Sequence, residues 1–99
     1  MRVEITAEAE RDLSDIAQFI AVDDLRQAIA FVEELRAACH GLTEFPERFS
    51  LVPRYERLGI RHRVCGKYLV FYRAESERVV VLHVIHGARD FYDLLEIER

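Results

Sequence analysis

The feature of this sequence that most constrains its fold is a change in the spacing of its apolar residues after Pro53. Before that point apolar residues recur every three or four positions, the period of an α-helix that packs on one side. After it they alternate or form short continuous runs, which is typical of β-strands. A chain of 99 residues suits one domain, so both parts must share one fold. The sequence therefore predicts a single α+β domain over residues 1–99.

The first half of the chain predicts a short strand, "RVEIT", and then two helices. Thr6 can cap the first helix, and Asp24 with Gln27 resembles a capping box that begins the second, which should end before Pro46. The apolar stripe of the first helix is Ala9, Leu13, Ile16, Ala17 and Ile20. The buried face of the second is expected to be Leu25, Ala28, Ile29, Val32, Leu35, Cys39 and Leu42. Because almost no linker separates them, the helices should form an antiparallel hairpin.

The second half predicts a three-stranded meander, "LGIRHRV", "KYLVFYR" and "RVVVLHVI". Cys65 and Gly66 suit a tight turn between the first two strands, and "AESE" provides the next turn. The nearly continuous apolar run of "KYLVFYR" indicates a central strand. The last residues, "ARDFYDLLEIER", are expected to close the chain as a short helix or an irregular tail.

Charge is unevenly distributed along the chain, whose net charge is −4. Residues 1–50 carry 11 acidic and 5 basic side chains, whereas residues 51–99 carry 9 basic and 7 acidic ones. The segment 48–73 contains one acidic residue, Glu56, among seven basic ones: Arg48, Arg54, Arg57, Arg61, Arg63, Lys67 and Arg73. An acidic half beside a basic segment predicts two surfaces with different partners.

Motifs for metal or cofactor chemistry are missing from the sequence. It has no Gly-rich phosphate loop, no HExxH and no paired-cysteine motif, so we expect neither metal nor cofactor. Cys39 and Cys65 lack the spacing of a metal site and are expected to be free thiols in a reducing cytoplasm, with a disulfide between them as the alternative. No apolar run suits a membrane span, and the N-terminus does not resemble a signal peptide. His83, in phase with Val79, Val81 and Ile85, is predicted to be a structural core histidine.

The order of these motifs resembles the ParE branch of the RelE/ParE toxin superfamily over almost the whole chain. The residues that carry the resemblance are Phe45-Pro46 after the second helix, Arg61 and Arg63, Tyr68, Tyr72-Arg73, and His86-Gly87-Ala88-Arg89-Asp90. The resemblance implies a small α+β toxin, in which the antiparallel helical hairpin packs on an antiparallel sheet. It also implies that the toxin is encoded beside a tightly bound ParD-like antitoxin. Such an antitoxin binds operator DNA itself and wraps the toxin with its C-terminal segment, so the toxin contacts DNA only indirectly. We expect a 1:1 contact repeated in a hetero-oligomer of even number.

Three functions are compatible with this resemblance. ParE-like members inhibit DNA gyrase, RelE-like members cut messenger RNA on the ribosome, and a third possibility is a member without toxicity that serves only as the antitoxin's partner. A nuclease that works among ribosomal phosphates benefits from high positive charge, which this chain lacks. The sequence therefore favours a gyrase inhibitor without catalysis of its own.

The resemblance and the charge pattern together suggest candidate site residues. Target binding is assigned to Arg61, Arg63, Arg73, His86 and Arg89. If the protein were a nuclease, Arg61, Arg73 and His86 would be its catalytic residues. Antitoxin binding is assigned to Leu13, Ile16, Ala17, Ile20, Arg63 and Lys67, the first four because small residues nearby leave room for a docked helix.

Overall fold

The fold is described by a computed structural model that covers residues 1–89. Its elements are β1 (Arg2–Ile5), α1 (Ala7–Ala21), α2 (Leu25–His40), β2 (Ile60–Cys65), β3 (Tyr68–Ala74) and β4 (Arg78–His86). The acidic tail, for which a helix or irregular structure was expected, lies outside the described residues. Within the described part, neither helix is long and apolar enough to cross a membrane.

The predicted helix starts are confirmed by side-chain caps. Thr6 Oγ1 accepts a hydrogen bond from Ala9 N at 3.1 Å, and Asp24 Oδ1 accepts one from Gln27 N at 3.1 Å. Each cap satisfies an amide in the first helical turn that has no partner within the helix. The hairpin therefore begins both of its helices where the sequence predicted.

The four strands form one sheet in the order β1-β4-β3-β2. The meander of β2, β3 and β4 is antiparallel as predicted, and Gly66 adopts a positive φ of 59° in its first turn. β1 pairs in parallel with β4, so the sheet is mixed rather than wholly antiparallel. The long helical connection after β1 allows this, because parallel pairing needs a crossover that a tight turn cannot supply.

Apolar side chains pack on both faces of the sheet. On one face, α1 and α2 contribute Leu13, Ile16 and Leu35 to a buried cluster with Tyr72. On the other face, Phe71 lies in a second cluster together with buried residues from the segment before β2. The helical hairpin thus covers one face, and the segment preceding β2 helps to cover the other.

A β-bulge in β4 changes which residues share a face. Tyr72 pairs with Val81, but Phe71 pairs with His83, so Leu82 is an extra residue in β4. Val81 and Val84 consequently both belong to the helix-side cluster, whereas Ile85 belongs to the other one. The prediction that Ile85 shares a face with Val81 is therefore wrong, because it assumed an uninterrupted period of two.

The predicted buried face of α2 is right at Ala28, Leu35, Cys39 and Leu42 and wrong at Leu25 and Ile29. Leu35 and Cys39 are fully buried, but Leu25 is 64% exposed and Ile29 is 54% exposed. Neither exposed residue belongs to the clusters that pack on the two faces of the sheet. The apolar stripe therefore continues beyond the core of this chain.

Candidate functional site

The turn that follows β4 is held to the turn between β2 and β3. Gly87 N donates a hydrogen bond to the carbonyl oxygen of Lys67 at 2.8 Å. Ala88 N donates to His86 Nδ1 at 3.0 Å, and Arg89 N donates to the carbonyl oxygen of His86 at 3.0 Å. A Cβ added at Gly87 would lie only 3.4 Å from the Lys67 oxygen, which favours glycine there. We call the surface formed by residues 66–67 and 86–89 the tip.

Two pockets flank the exposed ring of Phe19 where α1 meets the tip. Phe19 is 68% exposed, and the pockets have volumes of about 320 and 450 Å³. Tyr68 and His86 line both pockets, and their rings meet edge to face with centroids 5.2 Å apart. The smaller pocket is also lined by Asp12, Asp15 and Arg89, and the larger one by Ile20, Phe31 and Lys67. These tip pockets therefore offer aromatic walls and charges of both signs to a partner.

A separate apolar groove runs between the two helices on the side away from the sheet. Its volume is about 390 Å³. Its apolar lining consists of Ala17, Ala21, Leu25, Ala28, Ile29 and Val32. The small side chains come mainly from α1 and form the floor on which a further chain segment can lie. We call this surface the hairpin groove.

Arg61 and Arg63 make structural contacts on the helix side of the sheet. Arg61 Nη1 donates to the carbonyl oxygens of Glu47 and Phe49, at 3.1 and 2.7 Å. Arg63 Nη1 donates to the carbonyl oxygen of Ala38, in the last turn of α2, at 3.0 Å. Its guanidinium also lies 5.1 Å from the centre of the Phe49 ring. Both arginines therefore hold the chain after α2 against β2, which restricts how they can serve a partner.

The three residues named for a nuclease are not brought together. Arg61 pairs with Tyr72 and so lies on the helix-side face, whereas Arg73 pairs with Ile60 of the opposite cluster and bonds Glu75 through Nε at 3.2 Å. His86 lies opposite Tyr68, four residues along β3 from the partner of Arg61, a separation of about 13 Å. Arg61, Arg73 and His86 thus cannot act on one phosphate in this arrangement.

The target-binding and antitoxin-binding candidates fall on several surfaces. Of the five target-binding candidates, His86 and Arg89 meet at the tip, whereas Arg61, Arg63 and Arg73 do not. Leu13 and Ile16 are 1% and 7% exposed. Both side chains belong to the buried cluster on the helix side of the sheet, which leaves them little surface for a partner, although Ile16 also lines the smaller tip pocket. Their assignment to antitoxin binding stays a prediction. Of the other antitoxin-binding candidates, Ala17 lines the hairpin groove, and Ile20 and Lys67 line a tip pocket.

The exposed apolar residues that line the groove and the tip were missed by sequence reasoning. Leu25 and Ile29 were assigned to the core, and Phe19 was not assigned at all. Their spacing follows the helical period. That period is the same for residues covered by the sheet and for residues covered by a partner, so the sequence does not distinguish the two. The one available signal was the number of alanines along α1, at positions 7, 9, 17 and 21, which indicated room for a docked helix.

The remaining reactive side chains have structural surroundings. His83 Nδ1 lies 2.9 Å from Asp12 Oδ2, which agrees with the prediction of a partnered core histidine. Nδ1 of His62 is buried and has no hydrogen-bond partner among the described residues. Burial raises the pKa of the Cys39 thiol to about 11, and burial also raises the pKa of Cys65. Neither thiol is activated as a nucleophile, because reactive cysteines have lowered pKa values.

Comparison with solved structures supports the ParE-like architecture. The chain is similar to a chain of the chromosomal ParDE toxin–antitoxin system from Pseudomonas aeruginosa, with a TM-score of 0.74 and 18% identity, over 87% of this chain and 95% of that one. It is also similar to a chain of the RelBE2 toxin–antitoxin complex from Mycobacterium tuberculosis, with a TM-score of 0.57 and 26% identity, over 86% and 95%. No curated protein matches the sequence.

Residues 3–91 match the sequence profile of a family described as the ParE toxin of the type II toxin–antitoxin system parDE. The match includes both helices and all four strands except the first residue of β1. This match agrees with the family resemblance that the sequence showed in the arginines of β2 and in the turn after β4. The fold of the chain agrees with the same resemblance. The chain belongs to the ParE toxin family of type II toxin–antitoxin systems.

Proposed function

We propose that this chain is a toxin that a ParD-like antitoxin neutralises and that, when released, inhibits DNA gyrase in the cytoplasm. The observation that carries the proposal is the hairpin groove, an apolar surface on a member of a toxin–antitoxin family. Leu25 and Ile29, which line it, are each more than half exposed in the chain alone. Covering such apolar surface yields about 25 cal/mol per Å² removed from water, so a partner would gain affinity there.

The shape of the hairpin groove suits an amphipathic helix of the antitoxin. A helix that lies along two others needs small residues beneath it, and Ala17, Ala21 and Ala28 provide them. The Pseudomonas and Mycobacterium structures are both toxin–antitoxin systems, which supports a partner of this kind. Co-expression with the product of the neighbouring gene should give a 1:1 complex repeated in an even-numbered assembly, measured by native mass spectrometry. The complex, and not this chain alone, should bind operator DNA.

Gyrase is favoured over the ribosome as the target by the arrangement of the cationic side chains. Arg61 and Arg63 bind carbonyl oxygens of their own chain, and the three nuclease candidates lie apart. Catalysis of RNA cleavage without a metal needs a base, an acid and cations around one phosphate. A toxin that acts by binding protein needs only an accessible surface, and the tip with His86 and Arg89 offers one.

The decisive experiment supplies the purified, antitoxin-free protein to gyrase with ATP and relaxed plasmid, and in parallel to a translating extract. We expect lost supercoiling or trapped cleaved DNA, with intact messenger RNA. Arg89→Ala should weaken gyrase inhibition at least tenfold, because a few central contacts carry most of a binding energy. Arg57→Ala, an exposed arginine of the segment before β2, is the matched control and should change inhibition less than about twofold.

Each other result selects an alternative. Cut messenger RNA with normal supercoiling would identify a ribosome-dependent nuclease and reject gyrase inhibition. No effect in either assay, from a sample with a cooperative unfolding transition, would identify a family member that acts only as the antitoxin's partner.

A further inference from the structure

β1 forms the edge of the sheet opposite to β2, and only its inner side is paired. Arg2 N donates a hydrogen bond to the carbonyl oxygen of Glu77 at 3.3 Å, and Thr6 N donates one to that of Val81 at 3.1 Å. Because the backbone groups of a strand alternate in direction, Val3 and Ile5 direct their N–H and C=O groups away from β4. Within residues 1–89, no hydrogen bond reaches these outward groups.

The two faces of β1 differ in chemistry. Val3 and Ile5 pack against the cluster on the helix side of the sheet. On the other face, Arg2 Nε and Nη2 donate to Glu4 Oε1 at 3.2 and 3.1 Å, and the two side chains remain 64% and 40% exposed. The open edge therefore carries one cation and one anion, two residues apart.

This charge pattern is complementary to itself in one antiparallel register. If two β1 strands pair with Val3 opposite Val3, the two valines exchange both of their backbone hydrogen bonds. Arg2 of each copy then lies opposite Glu4 of the other, at positions where side chains approach most closely. The neighbouring registers place Arg2 opposite Arg2 or Glu4 opposite Glu4, which is destabilising. Charge thus selects the register centred on Val3.

We propose that two copies of this chain pair through their β1 edges, antiparallel and centred on Val3, to form one continuous eight-stranded sheet. This inference goes beyond the proposed function and requires neither the antitoxin nor the target. A strongly charged segment of another protein is disfavoured as the occupant, because Arg2 and Glu4 balance each other at this edge. The strand is short, so the pairing is weak and depends on protein concentration.

The proposed pairing leaves the tip free. β1 ends opposite Val81, and the tip begins five residues further along β4 at His86, a separation of about 17 Å. The dimer therefore presents two tips to a target. The same contact would join antitoxin-bound toxins in twos, in agreement with the even-numbered assembly proposed above.

Sedimentation velocity of the free chain between about 1 μM and about 1 mM tests the pairing. The average mass should rise with concentration toward twice that of one chain. Arg2→Glu places like charges opposite each other and should raise the concentration needed for association at least tenfold. Arg11→Glu makes the same change at an exposed position of α1 and should alter that concentration less than about twofold. A monomer at every concentration, or equal association by both variants, would overturn the inference.

A mixture of two variants tests the register itself. Glu4→Arg should also associate at least tenfold more weakly, and Arg78 keeps its hydrogen bond to Glu75 in that variant. When Arg2→Glu and Glu4→Arg are mixed, the register centred on Val3 places a glutamate opposite an arginine at both charged positions. The mixture should recover association that neither variant shows alone. Absence of recovery, from variants that each unfold cooperatively, would overturn this pairing.

Discussion

A single carboxylate, that of Asp12, joins α1 to the bulge of β4. Its Oδ2 accepts a hydrogen bond from Val84 N at 2.9 Å and lies 2.9 Å from His83 Nδ1. The bulge changes the pairing of β4, and Asp12 provides a partner for the amide that follows it. The strand then continues to His86 and the tip, so Asp12 supports the geometry of a surface that it also lines.

Asp12→Ala should lower the free energy of unfolding by about 2–3 kcal/mol, because it leaves the Val84 amide without its charged acceptor in a buried setting. Asp15→Ala, at the exposed position one helical turn later, should change that free energy by less than about 0.5 kcal/mol. Urea unfolding of both variants measures the difference. Similar losses for the two would contradict a specific role for the Asp12 carboxylate.

Between elements, the clearest polar contact is a two-pronged ion pair that joins the helices of the hairpin. Arg36 Nη1 and Nη2 donate to the two carboxylate oxygens of Glu10, at 3.1 and 2.7 Å. The hydrogen bonds from Arg36 lower the pKa of Glu10 below its ordinary value. The pair is exposed, so its effect on stability is modest. It connects α1 and α2 at their solvent-exposed surfaces.

This ion pair predicts a pH dependence. Because the folded pKa of Glu10 is lowered, its contribution to stability is present above the unfolded pKa of about 4.3 and is lost as pH falls through the folded pKa. The natural protein should exceed Glu10→Gln by less than about 1 kcal/mol of unfolding free energy at pH 7, and the gap should close as the pH falls below about 4.3. Urea titrations across this range measure it. Glu34→Gln, at an exposed position of α2, should show no such closing gap.

At the scale of the whole molecule, the helical hairpin carries more apolar surface than its contact with the sheet buries. Its C-terminal half buries Leu35 and Cys39 in the core, while its N-terminal half leaves Leu25 and Ile29 exposed. A chain of this size buries only about two-thirds of its unfolded surface, so an apolar groove of about 390 Å³ is a large feature for it. The hairpin groove and the tip pockets are two separate exposed surfaces on one small domain.

Ile29→Glu tests whether the hairpin groove is a binding surface. The unfolding free energy should change by less than about 0.5 kcal/mol, since Ile29 is 54% exposed. Affinity for the neighbouring-gene product should fall at least tenfold, because a carboxylate would be buried against apolar groups. Ala30→Glu introduces the same charge at the next, exposed position of α2, outside the groove, and should bind within about twofold. Equal losses for both, measured by calorimetry, would exclude the groove.

The type and order of the elements could be predicted from local patterns alone. The caps at Thr6 and Asp24, the turn at Gly66 and the change of period after Pro53 depend on residues close together in the chain. The physical requirements there, an acceptor for a free amide or a residue that tolerates positive φ, are local. The family resemblance rested on the same motifs and is confirmed by the sequence profile over residues 3–91.

What only the tertiary structure decided concerns contacts between distant parts of the chain. An apolar stripe has the same period whether it faces a sheet or a partner, so Leu13 and Leu25 could not be told apart until the packing of the helices on the sheet was known. The parallel pairing of β1 and the extra residue Leu82 in β4 depend on strand register, which local preference does not specify. The sequence alone determined that arginines lie on β2 and β3. Their partners depend on how distant segments pack, so only the fold determined which carbonyl oxygens and carboxylates they contact.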